Sequence, residues 1–532
     1  MKINKNGIDL YVHTLKYMKC SQVYYRIRKL MGIECGIGVR TKATADNIHP
    51  ICSVPALDFD PVFLSRFNVC DLMNDRVSFL HSEAVVDWNG RWEIKEKSSL
   101  WNYNLHYFEY VFPLFNAYQT NHDEKYLKKA VSIIRSWIKM NPQKEGGPGW
   151  APYTIDLRLT NWLSFYSMAE KYLTDAFKRE MRCSIKDQYD YLSKHVEKDI
   201  LGNHYLEDLK TLVLCAVFFN DQKMMKASFD ALIKECHEEI LDDGMHFELS
   251  PMYHNLVLES LIKTYSALKE YGYQVKKLEN PIQAMLNAAW SMGESLDRIP
   301  FFNDCGNNVA KSLDSLVTAA ESLVDTAPVY KNAFPDAGFY ILKRGDWKLI
   351  IDGGKTGPDY IPGHAHCDAL SFELFHHGAP IIVNCGTYAY QSSRRDEFRQ
   401  TKAHNTVMLN GYEQSEMWGI FRVARRCNVN VIEAGSDHLI MEMTDYRGVV
   451  VRRTITLGDK LVIFDESKNS SLTGYLHFKE EIPVVLVCSC IHKYKQCYAP
   501  DYGVLESINT ISYEGRDCIR AEILLGNESE NI

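Results

Sequence analysis

A chain of 532 residues is too long for one ordinary hydrophobic core, so at least two large domains are expected. With 46% hydrophobic and 24% charged residues it reads as globular, which excludes a disordered or fibrous scaffold. A formal net charge of -8 argues against nucleic acid or an anionic membrane as a general partner, although an acidic substrate could still be met by a local basic cleft.

The opening stretch, Met1 to Leu30, is interrupted by lysines and arginines and contains no apolar run suited to a signal peptide. The fifteen cysteines show no CxxC motif and are expected to be reduced thiols. A cytoplasmic setting is the expectation, with the periplasm or export as the alternative. The apolar run from Thr211 to Phe219 is far shorter than the ~20 residues a membrane helix needs, so no span is predicted.

Residues 1–100 are mixed in pattern and are read as an N-terminal extension. Over residues 101–330 the helical period dominates. Apolar residues recur at three and four positions, as in Val257, Leu261, Tyr265 and Leu268, and further helical stretches are Tyr126 to Met140, Leu206 to Phe219, Met224 to Ile240 and Ile282 to Leu296. Short breaks such as Asn141-Pro142 and Asp242-Asp243-Gly244 suit hairpins of antiparallel helices. Over residues 331–532 the runs become alternating and β-branched, as in Trp347 to Asp352, Ala379 to Val383, Val449 to Leu457 and Lys460 to Asp465, which predicts antiparallel sheet. Clefts between such domains favour ligand sites.

Three polar clusters stand out. Gly202-Asn203-His204-Tyr205-Leu206-Glu207 begins a helix, which would put His204 and Glu207 on one face. Asn203 can hydrogen-bond a carboxylate and His204 can carry a proton near neutrality; a capping Asn beside a satisfied histidine would look the same. Asp243 to His254 is a polar, aromatic turn in which Ser250 and Pro251 suit a helix start, so that Tyr253 either presents its hydroxyl to a cleft or packs as a wall. The third cluster is Gly363-His364-Ala365-His366-Cys367-Asp368, followed by Asn384 and by Ala403-His404-Asn405-Thr406. Histidines two apart in an extended segment share a side and are of the type that zinc accepts.

In this order and spacing the clusters resemble the heparinase II/III family of polysaccharide lyases. The resemblance extends through Trp101-Asn102-Tyr103-Asn104-Leu105-His106-Tyr107, Asp156-Leu157-Arg158-Leu159-Thr160-Asn161-Trp162 and the block from Gly363 to Arg426. It implies an α/α toroid of helix hairpins followed by a C-terminal antiparallel β-sandwich. It also implies β-elimination on a uronic-acid-containing acidic polysaccharide, such as a bacterial surface polymer. On the matching positions Asn203 and His364 would neutralise the uronate carboxylate. His204, or Tyr253 as phenolate, would take the C5 proton, and Tyr253 would protonate the departing O4. Asn102, His106, Trp150, Arg158, Trp162 and Glu207 would bind or support substrate. No cofactor is required for this chemistry. A structural zinc is implied at His366, Asn384 and His404, weakened because Asn384 stands where zinc-bearing relatives have an aspartate. Competing readings are a uronyl C5-epimerase, which shares the first step, and a non-catalytic glycan-binding protein. The polymer and the oligomeric state are left open.

Overall fold

The computed structural model describes residues 5–142, 147–293 and 298–526. After two helices, Lys5–Leu15 and Cys20–Leu30, and a small antiparallel hairpin formed by Arg76–Phe79 and Ser82–Val85, the chain runs through a series of longer helices. These include Glu124–Met140, Pro152–Ala169, Asp175–Leu192, Asn203–Phe218, Gln222–Glu239, Pro251–Glu270, Lys276–Met292 and Leu313–Val324. Their starts are written in the sequence. Asp123, Thr174, Asp221, Ser250 and Ser312 each accept a hydrogen bond from a backbone N–H of the first turn, satisfying donors that the helix itself cannot.

The hairpins wrap around Asn203–Phe218, which packs against Pro152–Ala169, Gln222–Glu239 and Pro251–Glu270. Of its sixteen residues only His204 escapes burial. A helix surrounded on all sides needs no polar face, and from Leu212 to Phe218 its sequence is apolar all round. The helical half is an incomplete α/α toroid.

From Ala333 onward the chain builds one large, curled antiparallel sheet. Its long strand Lys460–Phe478 pairs with Val450–Leu457 on one side and along its length with Glu506–Leu524, from Lys460↔Leu524 to Phe478↔Asn509. The register slips between Glu466 and Ser471, an irregularity of the kind that bends a sheet. Inward residues alternate along the strand and feed a core that includes Leu461, Ile463, Leu472 and Leu476. This half is the β-sandwich.

A separate apolar cluster joins the halves. Met245, Leu249, Met292 and Phe302 of the helical side meet Phe334, Phe339, Ile350 and Phe375 of the sheet. Strand Trp347–Asp352 is buried along its whole length because it lies under this junction as well as over the sheet core. Each buried phenylalanine contributes about 2 kcal/mol, so the two halves hold a fixed relation. Among the described residues no helix is long and apolar enough to cross a membrane.

Candidate active site

The three clusters read from the sequence converge at this junction. Gly202 precedes the helix that begins at Asn203 and has φ of +60°; a Cβ there would lie 2.6 Å from Glu248 Oε1, so only glycine leaves room for that carboxylate. Glu248 accepts from the Asn203 backbone N–H at 3.2 Å and from Asn203 Nδ2 at 2.9 Å. His204 Nδ1 lies 2.8 Å from Glu197 Oε2, an arrangement in which Nδ1–H donates to the carboxylate and Nε2 is left as the free nitrogen. Burial would lower the His204 pKa, but the charges of Glu197 and Glu248 and the hydrogen bond to Glu197 outweigh it and the net direction is up. The Tyr153 ring lies against His204, with centroids 4.6 Å apart.

Tyr253 sits in the first turn of Pro251–Glu270, and Ser250 Oγ accepts from its backbone N–H. Its hydroxyl is 2.7 Å from that of Tyr390, which in turn is 2.6 Å from that of Tyr502. Its ring stacks on His364 at 3.8 Å and 29°. Burial, with Tyr390 and Tyr153 nearby, pushes the Tyr253 phenol well above its usual value. At neutral pH it is therefore a proton donor.

His364 comes from the sheet half and is held from both sides. Its Nδ1 is 3.0 Å from Asp304 Oδ2, and its Nε2 is 3.7 Å from Glu248 Oε2. Through Glu248, Asn203 and His364 thus share one neighbour. Asp304 is the hub behind them: Arg395 donates to both of its oxygens, one of these bonds spanning 2.8 Å, and His366 Nε2 is 2.9 Å away. Burial would raise the Asp304 carboxyl, but Arg395 and the two histidines hold it well below the usual carboxylate range. The Asp304 backbone also accepts from Ser250 Oγ at 2.7 Å, so the same residue fixes the helix that carries Tyr253.

The residues expected to bind zinc suit it only in part. His366 and His404 are buried with ring centroids 5.2 Å apart, and among the described residues His366 Nδ1 and both His404 nitrogens find no hydrogen-bond partner. Asn384, however, is committed: its Nδ2 donates to the Phe301 carbonyl at 2.9 Å and its Oδ1 accepts from Asn405 N–H at 3.1 Å. Among the described residues no group of three or more His, Cys, Asp or Glu is arranged to hold a metal ion. With a neutral amide in place of a carboxylate, the set matches zinc poorly.

A cavity of about 150 Å³ opens beside Tyr253, lined among others by Asn104, Tyr107, Tyr153, Asn161, Tyr390 and Tyr502. The expected substrate residues Asn102, His106, Trp150, Arg158 and Trp162 do not line it; the structure puts them behind its wall. Asn102 clamps the backbone of Ile94, accepting from its N–H at 2.7 Å and donating to its carbonyl at 3.0 Å. His106 Nδ1 accepts from Trp137 Nε1 at 2.9 Å. Trp150 donates to the Asn141 carbonyl at 3.1 Å. Arg158 is fully buried, with its guanidinium 3.9 Å from the Trp137 ring and a bond to Gln188 at 2.7 Å. Trp162 packs edge-on against Phe108 and Trp137. Glu207 does line the cavity, yet its partners are Lys210 at 2.6 Å and Ser260, and His204 turns to Glu197 instead.

Asp304, Glu248, Glu197, Tyr153, Tyr390, Tyr502 and Arg395 were not singled out from the sequence. A signal existed for some of them: Glu248 lies within the polar turn before Tyr253, and Tyr390 and Arg395 within the block from Gly363 to Arg426.

Two family models match the chain: Heparinase II/III N-terminus over residues 61–330, and Heparinase II/III-like, C-terminal over residues 326–486. A heparin-sulfate lyase of Pedobacter heparinus is 25% identical over 363 residues, covering 61% of this chain and 54% of that protein. A heparin-sulfate lyase of Bacteroides stercoris is 22% identical over 463 residues, covering 76% and 67%. The matches thus span between about half and two thirds of those relatives' length. Among solved structures, heparinase III superposes with a TM-score of 0.68 at 18% identity, over 98% of this chain and 92% of that one. A heparan sulfate lyase from Pedobacter heparinus superposes with a TM-score of 0.55 at 18% identity, over 94% and 87%. At this identity the likeness establishes the fold, toroid followed by β-sandwich.

Proposed function

This chain belongs to the heparinase II/III family, and on that premise we propose that it cleaves an acidic polysaccharide at uronate residues by β-elimination. The observation that carries the reading is the Tyr253 hydroxyl, kept protonated and stacked on His364, in a site that also presents Asn203 and His204. Asn203 and His364 receive the uronate carboxylate, and their hydrogen bonds stabilise the enolate-like species formed when C5 loses its proton. His204 Nε2 takes that proton. The C5–H electron pair becomes the C4=C5 double bond, the C4–O4 bond breaks, and Tyr253 gives its proton to O4. The products are a chain ending in a 4,5-unsaturated uronate and a chain with a new hydroxyl group.

The assignment of His204 as base fits a uronate whose C5–H and O4 lie on opposite faces of the ring. Where they share a face, one residue must serve both steps, and Tyr253 would pass its first proton along the Tyr390–Tyr502 hydroxyl chain. No cofactor takes part in these steps. We assign His366 and His404 to the packing behind the His364 loop, because Asn384 is a poor third ligand; elemental analysis of purified protein finding one zinc per chain would contradict this.

The deciding experiment incubates the purified protein with heparan sulfate, hyaluronan and alginate and follows the ultraviolet absorbance of unsaturated uronate, with mass spectrometry of the products. Tyr253→Phe keeps the ring and removes only the donor, and is expected to lower the rate roughly 100- to 10,000-fold while melting temperature and polymer binding stay near wild type. Turnover by Tyr253→Phe close to wild type would refute the mechanism. Deuterium entering the polymer from solvent without cleavage would identify a C5-epimerase, and binding without product a glycan-binding protein.

A further inference from the structure

The cavity beside Tyr253 carries seven charged side chains on its wall, and six of them are matched. Glu109 is paired with Arg66, Glu207 with Lys210 at 2.6 Å, and Glu259 with Lys263 at 2.8 Å. Lys263 is further engaged from behind by Asp58 at 3.2 Å, so its charge is balanced by two carboxylates.

Lys311 is the seventh. It is only 8% exposed and its ammonium sits 3.2 Å from the centroid of the Phe63 ring. Among the described residues it has no hydrogen-bond or ion-pair partner. An ammonium in such a place is costly to keep charged. Burial drives its pKa down to about 8, against the pull of Glu259 and Glu109. Ion pairs elsewhere on the wall satisfy the carboxylates, so this one positive charge is what the empty space presents to a ligand.

We infer that Lys311 anchors an oxyanion subsite, taking a sulfate or carboxylate group on the sugar next to the uronate that reacts at Tyr253. The inference rests on the lyase reading for the word sugar, but the anion site itself does not need catalysis to be detected. An oxyanion supplies what Lys311 lacks, a charge-assisted acceptor in a water-poor place. The Phe63 ring covers one side of the ammonium, and both residues line the cavity.

Calorimetric titration of the full chain with sodium sulfate and with sodium glucuronate, at constant ionic strength set by chloride, tests the site. Saturable binding of at least one anion is expected, weakened about tenfold or more in Lys311→Met and unchanged in Lys16→Met, an exposed lysine. Binding of sulfate alone, or of glucuronate alone, identifies which group the subsite takes. Lys311→Met removes a buried unpaired charge and should melt no lower than wild type; if it fails to fold, Lys311→Gln takes its place. Equal binding by wild type and the Lys311 variant overturns the inference, as does binding of neither anion above chloride. The titration is independent of turnover, so a protein that binds the anion but cleaves no polymer would sink the lyase reading and leave the subsite standing.

Discussion

Behind His364 and behind His204 lie two groups of wholly buried aspartates, and they are driven in opposite directions. Asp304 is surrounded by Arg395, His364 and His366, and its carboxyl is held well below the ordinary range. Asp208, on the helix of His204, meets Asp156 of the neighbouring helix Pro152–Ala169; burial raises both carboxyls well above that range, and the charges of Glu197 and, at Asp156, Glu207 add to the effect. Lys210 opposes the rise at Asp156 but is already bonded to Glu207. Burial alone therefore does not decide whether a carboxylate survives ionised. Compensation by a committed cation does. The sheet side of the site keeps a fixed negative charge next to its histidine, while on the toroid side that task falls to Glu197, with Asp156 and Asp208 kept neutral.

The largest effect that would test this contrast comes from Asp304→Asn. It removes the charge that Arg395 was buried to meet and weakens the hold on His364 and His366. A loss of about 3–5 kcal/mol in denaturant-measured stability is expected, together with activity falling further than that of a variant matched for stability. An unchanged melt would mean that Arg395 is not paired as described, and the contrast would collapse.

Asp156→Asn should give the smallest effect. The folded carboxyl titrates above its unfolded value of about 3.9, so the unfolded chain releases its proton first as pH rises. Wild-type stability conferred by the neutral carboxyl is present below that unfolded value and is lost progressively toward the folded one. Asparagine has no such loss. At pH 7 the variant should be as stable as wild type or more so, and its advantage should grow between pH 5 and pH 8 in urea unfolding. An advantage that shrinks over that interval would show Asp156 to be ionised.

Local patterns made much of the fold legible. The helical period over Tyr126 to Met140 falls within Glu124–Met140, and the strand texture of Trp347 to Asp352 coincides with a strand of those bounds. Lys460 to Asp465 was read as a strand but is only the beginning of one that continues to Phe478, because the polar residues after Glu466 hide its period where the register slips. In the site, the motif residues Asn203, His204, Tyr253 and His364 converge. Of the expected substrate residues, Glu207 reaches the cavity and the others stand behind its wall. In Pro152–Ala169 it is Tyr153, Leu157, Thr160 and Asn161 that face the cavity, at helical spacing, while Arg158 and Trp162 turn to the core. A conspicuous Trp or Arg draws the eye, yet nothing in one helix says which of its faces will meet a cavity. Asp304 was illegible for another reason: its partners His364 and Arg395 are 60 and 91 residues away along the chain, and no local pattern encodes such a meeting.

The stack of Tyr253 on His364 draws one ring from each half of the molecule, 3.8 Å apart. On the proposed lyase reading, turnover counts only those molecules in which the halves are seated together, and the seated fraction multiplies the rate directly. The aromatic junction of Phe302, Phe334, Phe339 and Phe375 sets that fraction without touching substrate. Selection on activity would accordingly act on greasy contacts well away from any sugar, and a damaged junction would register as a lower yield of working enzyme with the chemistry of each working molecule intact.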